Sequence, residues 1–82
     1  GVSMIRILFF GPVVEHVGQR EIQIEFQPGM CLQNVTETLQ ARHPKAFEIV
    51  CFTAVNQVQT RDLGLALADH DEITYMAKFS GG

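Results

Sequence analysis

Residues 21–26, EIQIEF, constrain the fold more than any other stretch of this 82-residue chain. Ile22, Ile24 and Phe26 alternate strictly with Glu21, Gln23 and Glu25. A period of two with this contrast means a strand with one face in a core and the other in water. Such a sheet needs a second layer over its apolar face. The candidate follows the turn Pro28-Gly29, where Leu32, Val35 and Leu39 recur at i, i+3 and i+7, the buried stripe of an amphipathic helix. Pro44 should stop that helix near His43, and its start is poorly marked because Cys31 is not a favoured cap.

The other elements arrange themselves around this pair. IRILFF at 5–10 predicts a strand ended by Gly11-Pro12, and VVEHVG one or two helical turns closed by Gly18. FEIVCFTAV is continuously apolar; it predicts a short helical turn and then a strand, FTAVN, though periodicity alone does not divide it. Asn56-Gln57 suits a tight turn, LGLAL a loose plug at one end of the core, ADHD a turn and EITYMAK a last strand. The order is α+β, with one helix on one sheet face. If the last strand lies parallel beside the first, the helix supplies the right-handed crossover between them, and the architecture is the ubiquitin-like β-grasp roll.

Composition narrows the functions. With net charge −3 and no run of Lys or Arg, the chain lacks the footprint of a nucleic-acid binder or a ligand of anionic membranes. No apolar stretch approaches the ~18 residues of a membrane span, and no export signal opens the chain. Gly1-Val2-Ser3 before Met4 reads as an expression scar, leaving a domain over 4–78 and a flexible tail over 79–82. Cys31 and Cys51 read as reduced, inert thiols buried in apolar surroundings, as expected in a cytoplasm. His16, His43 and His70 match no zinc spacing, and the acidic turn of Asp69, Asp71 and Glu72 lacks calcium spacing, so no metal site is expected. Neither a P-loop nor a dinucleotide fingerprint is present, and no cofactor is expected on the chain itself.

Two features invite chemistry. If Ile5, Ile7 and Phe9 face the helix, then Leu8 and Phe10, with Met76 and Lys78 of the last strand, lie on the opposite face, where exposed apolar groups mark a partner site. The chain also ends YMAKFSGG. Glycines without a Cβ thread slots closed to other residues, and a terminal glycine leaves its carboxylate open to attack at the carbonyl carbon. A carboxylate must first be activated as a mixed anhydride. With no nucleotide motif here, another protein must do that.

MIRILFFGPVVEHVG, AVNQ at 54–57, LADHDEITYM and the final SGG together resemble the small, sulfur-carrying subunit of molybdopterin synthase, from Met4 to Gly82. The resemblance implies a β-grasp fold in which an E1-like adenylyltransferase activates Gly82 with ATP and sulfur transfer makes a thiocarboxylate. The tail, with Gly81, Ser80 and Phe79, then threads into the large subunit, delivering sulfur to a pterin precursor. Phe10 and Met76 would match docking positions, and two copies of each subunit would form a heterotetramer. Two departures stand out: His70 replaces the Gly of the usual Asp-Gly-Asp-Glu turn, and Ala77-Lys78 replaces paired prolines. The alternatives are the thiamine-pathway sulfur carrier, a ubiquitin-like protein modifier, and a plain interaction domain.

Overall fold

The computed structural model describes residues 2–78, so Phe79, Ser80, Gly81 and Gly82 of the expected tail lie outside the described residues. Along the chain run β1 (Met4–Phe10), α1 (Pro12–Val17), β2 (Glu21–Glu25), α2 (Leu32–Arg42), α3 (Pro44–Ile49), β3 (Val50–Val55), β4 (Val58–Gln59) and β5 (Glu72–Ala77). The strands form one sheet in the order β2-β1-β5-β3-β4. β1 runs antiparallel to β2 and parallel to β5, and β3 runs antiparallel to β5 and β4. The central parallel pair requires a crossover, and α2 lies within it. This is the α+β, ubiquitin-like β-grasp architecture.

The alternation in β2 is obeyed: Glu21, Gln23 and Glu25 are exposed, and Ile22 and Ile24 pack against the core. Ile5, Ile7 and Phe9 of β1 meet Ile73 and Tyr75 of β5 and the α2 stripe Leu32, Val35 and Leu39, all at most 2% exposed. The short α1 ends on Gly18, whose left-handed φ of 87° suits a glycine and whose N–H donates to the Val14 carbonyl.

Three local features depart from, or refine, the sequence expectations. Pro44, expected only to stop α2, is also the first residue of α3; a fixed φ and a missing N–H are no handicap there. The start of α2, weak by sequence, is capped from a distance. Leu32 N–H donates to the Leu65 carbonyl and Gln33 N–H to that of Leu63, while the Asn34 side chain accepts the Cys31 N–H at 2.8 Å. The LGLAL segment therefore does more than plug: Leu67 is buried, and the carbonyls beside it satisfy helix donors that would otherwise be orphaned. The thiols need correction. Cys51 is exposed, because a β-bulge between Val50 and Phe52 breaks the alternation of β3, and Cys31, the residue before α2, is half-buried.

Tyr75, the chain's one tyrosine, is fully buried and shares a 2.8 Å hydrogen bond with Thr36. Phe9 stacks on it and Phe47 meets it edge-on at 4.9 Å between centroids. Burial pushes its phenol up to about 12, with the Thr36 bond opposing weakly. The folded state thus favours the protonated phenol. Its contribution is complete below about pH 10 and is lost as pH rises towards 12, on the order of 3 kcal/mol in all. A tyrosinate absorbance titration is expected to show ionisation delayed above pH 10 and coupled to unfolding; a simple midpoint near 10 in the folded chain would contradict this packing.

Candidate functional site

The face of the sheet away from the helices is graded along the strands. Register places Gln23, Arg6 and Glu72 in one row across β2, β1 and β5. The next row holds Glu21, Leu8, Thr74 and Ala54, and the last holds Phe10, Met76 and Phe52. One end of the face is therefore charged and the other apolar. The apolar end is where β5 finishes.

At the charged end Arg6 bridges both neighbouring strands, with Nε 3.2 Å from Glu21 and Nη1 3.0 Å from Glu72. The Glu21 hydrogen bond and charge raise the Arg6 pKa further, foremost among its neighbours. All three side chains reach solvent, so the bridges fix orientation more than they stabilise. At the apolar end Phe10 is 50% exposed, a large aromatic surface standing free on a small domain. Thr74, by contrast, is nearly covered, flanked in the sheet by Leu8 and Ala54. Leu8 and Phe10 form a ridge between two depressions, of about 540 Å³ towards Ala54 and Met76 and about 610 Å³ towards Val14, Glu15 and Arg20. Lys78, exposed, follows β5 directly and is the last described residue.

The structure thus brings Leu8, Phe10 and Met76 together and sets Lys78 at the same strand end; Gly82, Gly81, Ser80 and Phe79 lie outside the described residues. Phe52 and Ala54 were missed. Their signal was masked because the Cys51 bulge interrupts the period of two that would have assigned them a face. The stretches AVNQ and DHDE turn out to be one unit. Asn56 donates to Asp71 Oδ1 at 2.9 Å and accepts the Glu72 N–H, while Asp71 Oδ2 takes the Ala68 N–H. Their carboxylates and amide serve the turn rather than a reaction. Among the described residues no group of three or more His, Cys, Asp or Glu is placed to hold a metal ion, and no helix is long and apolar enough to cross a membrane.

The ThiS family model matches residues 7–82. The chain belongs to the ThiS family. No curated protein matches it. Among solved structures it is similar to the small archaeal modifier SAMP1 of Haloferax volcanii, at 20% identity and a TM-score of 0.81, covering 98% of this chain and 100% of that one. Subunit 1 of a molybdopterin converting factor from Pyrococcus furiosus is 21% identical with a TM-score of 0.81, covering 94% and 99%. A complex of subunits 1 and 2 of the molybdopterin-converting factor from Helicobacter pylori matches at 26% identity and a TM-score of 0.74, covering 96% and 99%. A modifier and molybdopterin-converting-factor subunits alike stand among these β-grasp neighbours.

Proposed function

We propose that the chain is a sulfur carrier of molybdenum-cofactor synthesis, the small subunit of a molybdopterin synthase. The carrying observation is the register that sets Phe10 beside Met76 and Phe52 at the end of β5, from which the sequence runs through Lys78 to Gly82. A partner docked on that face would have the chain terminus delivered to it. An E1-like enzyme adenylates the Gly82 carboxylate with ATP, releasing pyrophosphate; a sulfur donor then displaces AMP to leave a thiocarboxylate. The Helicobacter pylori match, a complex of two subunits, supports a large-subunit partner, and the graded face suits one. The chain holds no cofactor of its own in this account; the carrier works in the cytoplasm, with two copies of each subunit in the assembly.

The test is reconstitution. Chain bearing a terminal thiocarboxylate, mixed with the large subunit and pterin precursor, is expected to yield dithiolene product, and no product would sink the assignment. A second reading, the protein modifier, is favoured by the SAMP1 likeness at TM-score 0.81. It predicts covalent conjugates of higher mass in cell extract, whereas the carrier predicts none. Restored growth of a strain lacking the thiamine-pathway carrier, but not of one lacking the molybdopterin carrier, would move the assignment to the thiamine pathway.

A further inference from the structure

Among the described residues three non-glycine residues have positive φ: Asn56 at 50°, Gln57 at 69° and His70 at 69°. Asn56 and Gln57 form the turn between β3 and β4 and His70 lies in the loop before β5, yet all three line one depression of about 240 Å³ together with Glu72. A left-handed backbone is cheapest for glycine. Asn56 has a structural reason to be there, since its side chain ties the two loops together through Asp71 and Glu72. The two-residue turn between Val55 and Val58 sets the backbone of Gln57, and the Ala68–Asp71 turn sets that of His70, but neither turn calls for a side chain at its position. Among the described residues the Gln57 side chain makes no hydrogen bond, and the His70 side chain makes only a 3.4 Å contact to its neighbour Asp69. Both carry a side chain at a position that costs the fold stability, and neither side chain repays it within the fold.

Their surroundings suggest where the return lies. Gln57 and Glu72 also line the larger depression beside Leu8, Phe10 and Met76, so the corner continues the graded face. We propose that Gln57 and His70 form a polar subsite that receives a Lys or Arg side chain of the docked partner. The Gln57 amide oxygen, a His70 ring nitrogen and the Glu72 carboxylate, whose Oε2 also holds Arg6, line one space as acceptors. Asp69, Asp71 and Glu72 outnumber the nearby Arg6, which selects a cation over an anion as occupant. The subsite rests on the docking reading given above and adds the chemistry of the partner at its polar end. A second copy of this chain suits it less well, because a two-fold axis through the apolar row would leave this end unmatched.

The experiment uses the full chain and a molybdopterin-synthase large subunit from the same organism. In Gln57→Gly/His70→Gly both sites gain the residue their backbone prefers, so the melting temperature is expected to rise by about 4–8 °C. Affinity for the large subunit, measured by calorimetry at low and moderate salt, is expected to fall about tenfold, with a shallower salt dependence. Gln57→Asn/His70→Asn, polar and tolerant of positive φ, is expected to recover part of the loss. A double glycine variant that is more stable and binds as tightly as the parent overturns the subsite while leaving the docking face intact. Failure of the parent itself to bind overturns the docking reading and the subsite with it.

Discussion

Phe10→Asp is expected to weaken binding to the large subunit roughly a hundredfold while the domain melts within a few degrees of the parent. The two halves of that expectation come from the same fact. Phe10 is half exposed, so the fold loses little when it goes, and an exposed aromatic on a face of graded polarity is the residue type that anchors an interface. A buried carboxylate facing Met76 and Phe52 would, in the complex, have neither solvent nor cation. The neighbouring position supplies the control. Phe9 is 2% exposed and stacked on Tyr75, so Phe9→Asp should unfold the chain outright. Calorimetry with the large subunit and thermal melts of both variants read the contrast. Undiminished binding by Phe10→Asp would move the interface off this face.

Deleting Gly81-Gly82 should abolish sulfur transfer completely and change stability by less than about 0.5 kcal/mol. Among the described residues the buried cluster spans Ile5 to Ala77, and the deleted glycines carry no side chain that could add to it. What it removes is the carboxylate that the activating enzyme must recognise and the glycines without a Cβ beside it. A new terminus at Ser80 still carries a carboxylate, but on a side-chain-bearing residue and two positions short. Product formation in the reconstituted synthase and a denaturant melt give the two readouts. Retained activity would mean that the terminus is incidental and would favour a plain interaction domain.

Much of this was legible before any coordinates. EIQIEF gave a half-wet strand because its alternation is unbroken, and the spacing of Leu32, Val35 and Leu39 gave the helix that covers it. The parallel pairing of β1 with β5 was a condition that the element order allowed, and with it met, Leu8, Phe10 and Met76 share one face. What the sequence concealed has identifiable causes. The bulge at Cys51 hid both the exposure of that thiol and the outward facing of Phe52. The two-residue strand β4 is too short for any period to announce it. The cap of α2 comes from carbonyls of residues 63 and 65, some thirty positions away, which local rules do not reach. His70 in place of a turn glycine read as a departure; its φ of 69° turns it, with Gln57, into a candidate determinant of partner choice.

The central claim is chemical, that Gly82 becomes a thiocarboxylate. Intact-mass spectrometry of the chain, after incubation with an E1-like enzyme, ATP and a sulfur donor, tests it most directly. The account predicts a mass gain equal to one oxygen replaced by one sulfur, absent when Gly82 is deleted or ATP withheld. An unchanged mass, with an enzyme that demonstrably adenylates the chain, would contradict it.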